Sequence, residues 1–211
     1  MVASGMRAGV CPISHRYAKA INPYLGADYD PHSPSKYIIY LEDNNLYGWA
    51  MSHYLITGHF YWVDEAGWTQ INCQATSPTD PFAYIVECEL EYPTELQDLH
   101  NDYPLAAERV QIQVEMLSLT EVEISRHYAR ARMGKNVKLV TNLMKKTKSV
   151  VHSANLKFHL DHGLPLTKIH RVIGFKQCRW MAPYIGMYMA MRAAAQNEME
   201  RDFHYLKNNA V

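Results

Sequence analysis

The 211-residue sequence lacks the run of about 18 apolar residues that a membrane-spanning helix requires. Its first eleven residues also lack the apolar block of a secretory signal, so we expect an intracellular, reducing environment. Glycine and proline, at 10 residues each, are too few for a collagen-like or linker-dominated chain. The hydrophobic share of 48% and the charged share of 20% are typical of a folded protein with a substantial core.

Metal-binding and disulfide patterns are also missing from the sequence. The four cysteines, Cys11, Cys73, Cys88 and Cys178, form no Cys-x-x-Cys pair, and the 11 histidines form no His-Glu-x-x-His motif. Cysteines spaced this widely provide neither a zinc ribbon nor a disulfide framework. We therefore expect reduced, partly buried thiols.

The net charge of zero conceals two oppositely charged halves. Residues 1–105 carry 4 basic and 13 acidic side chains, whereas residues 106–211 carry 17 basic and 8 acidic ones. Residues 126–179 hold 13 Lys or Arg and a single acid, Asp161, which gives a net charge of +12. A positive block this dense is typical of proteins that bind the phosphate backbone of nucleic acid. The alternative is a solvated basic face with no partner.

Hydrophobic periodicity and turn residues indicate an α+β protein. The predicted strands lie at 37–41, 82–92 and 166–175, and a hairpin is predicted from 138–140 and 149–152. The predicted helices lie at 119–132 and 155–160, with a turn or short helix at 46–51 and one long helix at 184–208.

Two acidic residues, Glu42 and Asp43, follow the first predicted strand. A carboxylate at the end of a buried strand projects into the opening beyond it and is well placed to bind a metal ion. Adjacent residues of an extended chain point to opposite faces, so only one of the two can face a given site. Acidic residues at strand ends also form turns or cap helices, and spacing alone does not separate these roles.

Residues 40–51, with the sequence YLEDNNLYGWAM, resemble motif A of family B DNA polymerases, the Asp-x-x-Ser-Leu-Tyr-Pro element. More narrowly, they resemble the protein-primed branch found in Polinton (Maverick) transposons, related viruses and linear plasmids. Further segments are similar to this family in the same order along the chain: 7–9, 16–20, 91–93, 99–106, 138–140, 142–143, 150–152, 155–156, 166–172, 202–203 and 208–211.

The resemblance implies a central polymerase fragment that runs from motif A to the start of motif B, with no exonuclease segment before it. Residues 1–105 are expected to form part of the palm, with antiparallel or mixed strands. Residues 106–180 are expected to form a basic insertion that helps to encircle DNA, and the +12 block lies within it. Residues 181–211 are expected to begin the fingers with a long C-terminal helix.

The resemblance places Glu42 where the family has the catalytic Asp that binds two Mg²⁺ ions. Glutamate keeps the charge but adds one carbon–carbon bond, about 1.5 Å. A displacement near 1 Å can reduce the rate roughly a hundredfold. Tyr47 matches the tyrosine that stacks under the nucleotide sugar, and Asn45 is assigned to the same nucleotide site.

Motif B in the family is Lys-x-x-x-Asn-Ser-x-Tyr-Gly, and its lysine holds the triphosphate. Alignment on Asn209 puts Tyr205 at the lysine position and Ala210 at the serine position. A tyrosine can donate one hydrogen bond but supplies no positive charge. Arg201 lies one helical turn earlier on the same face, where the family often has another phosphate-binding base.

The partners implied by the resemblance are template and primer DNA, a deoxynucleoside triphosphate and a terminal priming protein. Contacts with DNA phosphates are predicted from basic residues of the insertion, namely Lys138, Lys145, Lys146, Lys148, Lys157, Lys168 and Arg171.

Two functions from different classes follow. The first is a segment of a DNA-directed DNA polymerase, a nucleotidyltransferase that extends a protein-primed strand, inactive as this chain alone. The second is a non-catalytic relic or domesticated module of a mobile element that binds nucleic acid. Glu42, Tyr205 and the absence of an Asp-Thr-Asp motif C favour the second function for this chain.

Overall fold

The computed structural model describes residues 1–7, 10, 13–15, 17–41, 45–128 and 137–210. Its helices are α1 (Val2–Gly5), α2 (Leu46–Met51), α3 (Glu65–Trp68), α4 (Thr94–His100), α5 (Leu119–Tyr128), α6 (Ser153–Asp161), α7 (Ala182–Ala194) and α8 (Glu198–Asn209), with 3₁₀ turns at Pro23–Asp28 and Val114–Met116. Its strands are β1 (Leu55–Val63), β2 (Phe82–Leu90), β3 (Glu108–Gln111), β4 (Val137–Val140), β5 (Lys146–His152) and β6 (Leu166–Cys178). The predicted α+β class is therefore confirmed. No helix in these ranges has the length and apolar character needed to cross a bilayer.

The strands form a four-stranded sheet in the order β1-β6-β2-β5 and a separate pair, β3-β4. The pairs β2–β5 and β3–β4 are antiparallel. The chain divides into unit 1 (Met1–Ser14, Tyr61–Ser77 and Ala83–Gly174) and unit 2 (His15–Phe60, Pro78–Phe82 and Phe175–Val211). The predicted boundary at 105/106 does not separate these units, because unit 1 draws on both the predicted palm and the predicted insertion.

The core of unit 1 forms on one face of β2. Val86, Cys88 and Leu90 are almost fully buried and pack with Leu156 of α6 and Val172 of β6. Each such side chain contributes roughly 1.5–3 kcal/mol when it leaves water. Cysteines 73, 88 and 178 carry free thiols, and burial raises the pKa of Cys88 to about 12. Cys73 and Cys88 are buried, whereas Cys178 is exposed, so the expected burial is wrong for Cys178; Cys11 lies outside the described residues.

Several local predictions are confirmed. The strand predicted at 82–92 is β2, the strand predicted at 166–175 is β6, and the helix predicted at 155–160 is α6. The short helix predicted at 46–51 is α2, and the helix predicted at 119–132 is present as α5, with 129–132 outside the described residues.

The predicted hairpin of 138–140 and 149–152 is wrong. Both segments are strands, but β4 pairs with β3, and β5 pairs with β2. Val150 and Val151 are buried on opposite faces of β5, so this strand needs cover on both sides. The four-residue β4 has an exposed first half and cannot supply that cover.

The predicted buried strand 37–41 is also wrong. These residues adopt no regular structure, and their side chains are exposed, with Tyr40 and Leu41 each at 85%. Backbone pairing ends one residue earlier, at a single bridge between Ile21 and Lys36. A strand is stable only beside another strand, and the described chain offers no neighbour to this segment.

The predicted long C-terminal helix is two helices, α7 and α8, folded back on each other. The Tyr184 hydroxyl donates to the Lys207 carbonyl at 3.2 Å, and Tyr188 lies beside His204, so the two helices run antiparallel. Asn197 causes the break, because its side chain accepts from the Glu200 amide at 2.9 Å. Glu200 in turn accepts from the Gln196 amide at 2.9 Å, which closes a cap of the Asn-x-x-Glu type.

We predict that Asn197→Ala lowers the free energy of unfolding by about 1 kcal/mol, the usual cost of losing an N-cap side chain. Urea unfolding followed by far-UV circular dichroism measures this difference. Met199→Ala, in the same helical turn but 84% exposed, is the matched control and should change stability little. Equal effects of the two substitutions would show that the cap does not hold α8.

His159, on α6, is a buried titratable group in unit 1. Burial, with smaller contributions from Arg7, His162 and Lys146, lowers the pKa of His159 to about 4. Its Nδ1 atom is buried and has no hydrogen-bond partner among the described residues. The folded protein therefore holds this imidazole in its neutral form.

The low pKa predicts a loss of stability in acid. Between about pH 6.5 and 4 the unfolded chain binds a proton at His159 that the folded chain does not, so stability falls as the pH falls through this window, by up to about 3 kcal/mol. Urea unfolding at a series of pH values should give a shallower slope for His159→Gln than for the wild type. The exposed His32, replaced by Gln, is the control; an unchanged slope in His159→Gln would refute the assignment.

Candidate nucleotide cleft and nucleic-acid interface

The predicted metal ligand Glu42 and its neighbour Asp43 lie outside the described residues, which resume at Asn45. Within the described part of the chain, no group of three or more His, Cys, Asp or Glu side chains could hold a metal ion. The Mg²⁺ site therefore stays a prediction that rests on Glu42, and no geometry is assigned to it.

Asn45 is the first described residue of the motif A segment, and its conformation is unusual. Its φ of 59° lies in the left-handed region, which asparagine adopts more readily than most residues. The side chain lies against Gly48, where any Cβ atom would overlap the Asn45 amide. The Oδ1 atom is buried and accepts no hydrogen bond from the described residues. The Oδ1 atom has almost no accessible surface, so the protein encloses it.

Asn45 lines a cleft of about 420 Å³ in unit 2 together with Met189, Arg192, Ala193 and Arg201. α2 packs against both α7 and α8, and the turn at Asn197 brings the end of α7 beside the start of α8. In the described chain, neither Arg192 nor Arg201 forms an ion pair with a carboxylate. In the part of the chain that the structure describes, the cleft therefore contains two cations that no carboxylate neutralises.

The other predicted nucleotide-binding residues, Tyr47, Tyr205 and Asn209, do not line this cleft. The Tyr205 ring lies under the Arg192 guanidinium, 4.9 Å from its centroid. Tyr47 is 78% exposed and does not line the cleft. Asn209 is exposed at the last turn of α8, eight residues beyond Arg201 and about 12 Å along the axis. The structure thus brings Asn45 and Arg201 together, with Tyr205 adjacent, but does not add Tyr47 or Asn209.

Two residues that the sequence did not single out belong to this region. Arg192 was not predicted, because one continuous helix would place it far from Arg201. The capping residues Asn197 and Glu200 were the sequence signal that the helix ends and the chain reverses. Asn208, not Asn209, is the buried asparagine of α8, at 1% exposure, and neither of its amide atoms has a described partner.

In unit 1, carboxylates of β2 neutralise part of the basic block. Glu87 binds Arg171 at 2.5 Å, and Glu89 binds Lys145 at 3.2 Å. Glu89 also accepts a hydrogen bond from His170 at 3.1 Å, and the hydrogen bond from Lys145 is the main cause that lowers the pKa of Glu89. Although it is charged, Glu87 is buried beneath Arg171.

Lys146 is a correction to the predicted DNA-binding set. Its side chain has no exposed surface, and its ammonium group donates to Glu108 at 3.2 Å and to the carbonyl of Asn142 at 2.8 Å. Burial lowers the pKa of Lys146, although Glu108 opposes this shift. A lysine enclosed in this way is not available to a DNA phosphate.

The remaining predicted DNA contacts fall into two groups. Lys145, Lys157 and Arg171 each bind a carboxylate, with Lys157 on Asp161 at 2.8 Å. Lys138, Lys148 and Lys168 are exposed, and among the described residues they have no carboxylate partner. These three are the cations best placed for phosphate.

The Lys146–Glu108 pair predicts opposite results for its two partners. Glu108→Ala leaves a buried ammonium uncompensated and should destabilise the protein by about 3–5 kcal/mol. Lys146→Met removes the buried charge itself and should be neutral or stabilising. Urea unfolding measures both, with Asp161→Ala, which breaks an exposed pair worth no more than about 0.5 kcal/mol, as control. Equal destabilisation by the two substitutions would contradict this account.

Comparison with known proteins adds no relative: no family model, curated protein or solved structure matches this chain.

Proposed function

We propose that this chain is part of a DNA polymerase of the protein-primed family B type, and that the unit 2 cleft receives the phosphates of the incoming nucleotide. The observation that carries the proposal is the meeting of Asn45, from the motif A segment, with Arg201, from the motif B segment, in one cleft. The two residues are separated by more than 150 positions in the sequence. Among the described residues, neither arginine of this cleft, Arg192 or Arg201, has a carboxylate partner.

The chemistry of the cleft suits a polyphosphate. Arginine presents a fork of N–H donors that matches phosphate oxygens, and its charge persists at any physiological pH. Arg192 also compensates for the departure from motif B. Tyr205 stands at the lysine position, and the guanidinium stacked on its ring restores a positive charge from α7.

Magnesium and DNA complete the proposal. Mg²⁺ would neutralise and position the reacting phosphate, with Glu42 as its ligand from this chain. Lys138, Lys148 and Lys168 are the proposed contacts with template and primer DNA, and a terminal protein would supply the priming hydroxyl. Because Glu42 replaces an aspartate and the sequence contains no Asp-Thr-Asp, we propose that this chain alone does not polymerise.

The second candidate function is a nucleic-acid-binding module without nucleotidyl transfer. It is favoured by the same two sequence departures and by the exposed lysines of unit 1. The two candidates differ in one measurable property, since only the polymerase segment requires a nucleotide-binding cleft.

Nucleotide binding tests the proposal directly. Isothermal titration of the full chain with a deoxynucleoside triphosphate and Mg²⁺ should show saturable binding, and Arg192→Gln or Arg201→Gln should weaken it about tenfold, the loss of one charge-assisted contact. Lys207→Gln, also on α8 but outside the cleft, is the matched control and should change affinity less than about twofold.

The outcomes separate the two functions. Binding that depends on both arginines, with no primer extension, supports a polymerase segment that is inactive alone. DNA binding without nucleotide binding supports the second function. Equal weakening by Lys207→Gln would mean that only general electrostatic attraction is involved and would reject the cleft.

A further inference from the structure

A strained lysine in β5 marks a second cleft, in unit 1. Ser149 pairs with Cys88 and Lys146 with Leu90, so Thr147 and Lys148 together face the single residue Glu89. This arrangement is a β-bulge, which redirects a side chain from the regular alternation of the strand. Lys148 has a φ of 53°, a conformation that a residue with a long side chain adopts only at a cost.

The cleft beside this bulge has a volume of about 440 Å³ and an excess of positive charge. Three cations line it, Arg7, Arg109 and Lys148. Hydroxyl groups also line it, those of Ser4, Thr147 and Ser149. Its one carboxylate, Glu108, is already engaged by Lys146 at 3.2 Å and by the Asn142 amide at 2.9 Å.

Among the described residues, the hydrogen bonds of Arg7 go to neutral acceptors only. Its guanidinium donates to the carbonyls of Ala107 at 2.6 Å, Val150 at 2.5 Å and Gly5 at 3.1 Å, and to the hydroxyl of Ser149 at 3.1 Å. All four acceptors are neutral, and no described carboxylate forms an ion pair with Arg7. Burial accordingly lowers the pKa of Arg7. A partly buried cation held only by neutral acceptors attracts an anion strongly.

Arg109 and Lys148 are free to meet that anion. Arg109 donates one long hydrogen bond, to the Met6 carbonyl at 3.4 Å. Lys148 forms no ion pair with a described carboxylate. A guanidinium and an ammonium that line one cleft together with hydroxyl-bearing residues satisfy a tetrahedral oxyanion better than a planar carboxylate.

We propose that this cleft binds a phosphate group through Arg109 and Lys148, with Arg7 supplying fixed positive charge from below. The phosphate is either free inorganic phosphate or a phosphodiester of a nucleic-acid backbone, because both present the same oxygens. The site lies wholly within unit 1 and does not depend on the nucleotide cleft of unit 2.

Titration of the full chain with inorganic phosphate, at constant ionic strength, tests the site. Saturable binding is expected by calorimetry, and Lys148→Gln and Arg109→Gln should each weaken it by about tenfold. Lys176→Gln removes an exposed lysine of β6 outside the cleft and should leave the affinity within about twofold of the wild type.

Lys148→Gly tests the site even if Lys148→Gln or Arg109→Gln disturbs folding. Glycine adopts positive φ without strain, so this variant should unfold at a higher urea concentration while its phosphate affinity falls as in Lys148→Gln. A purely structural role for Lys148 would not separate stability from binding in this way.

A short fluorescein-labelled oligonucleotide distinguishes the two sources of phosphate. If phosphate displaces the oligonucleotide and both cleft variants bind the oligonucleotide more weakly, the site binds a nucleic-acid backbone. If the two substitutions weaken the binding of phosphate alone, the site binds the free ion. The proposal is overturned if phosphate shows no saturable binding, if neither cleft variant weakens that binding, or if Lys176→Gln weakens it equally.

Discussion

The two chemically opposite faces of β2 determine how unit 1 is built. Val86, Cys88 and Leu90 enter the core, while Glu87 and Glu89 lie on the other face against Arg171, Lys145 and His170. A slip of one residue would move carboxylates into the core and apolar side chains against cations, and both changes are costly. Acidic and basic residues that are separated along the chain therefore pair on the sheet, and this pairing fixes the strand register.

Elements with a local signal were predictable from the sequence. Local patterns indicated the observed structure in three places: the alternation of polar and apolar residues in β2, the apolar run of β6 and the turn after α6. Pairing partners were not predictable. The segments around Lys138 and Val150 were recognised as strands but assigned to each other, because nothing local indicates that β3 and β2 are their neighbours. The same limit explains residues 37–41, whose pattern describes a buried strand but cannot supply an adjacent one.

The candidate nucleotide cleft was predictable in part. Residues assigned by resemblance, Asn45 and Arg201, do lie together, because α2 packs against the helical pair. Arg192 could not be found by aligning motifs, since its position depends on the reversal at Asn197 and not on any motif. The hydrophobic periodicity of 184–208 continues through that reversal, so only the capping side chains distinguish two helices from one.

Charge density along the sequence was a poor guide to where a phosphate could bind. Within the +12 block of residues 126–179, Lys145, Lys146 and Arg171 are neutralised by acids that lie outside it. Conversely, five cations that line the two clefts have no carboxylate partner among the described residues: Arg7, Arg109, Lys148, Arg192 and Arg201. Only Lys148 of these belongs to that block. A cation that is paired with a carboxylate has already lost its hydration and gains little free energy from a phosphate. An unpaired cation in a cleft has no such partner and gains more when a phosphate binds. The relevant quantity for anion binding is therefore the charge that remains uncompensated after folding, and that quantity depends on contacts that no window of sequence contains.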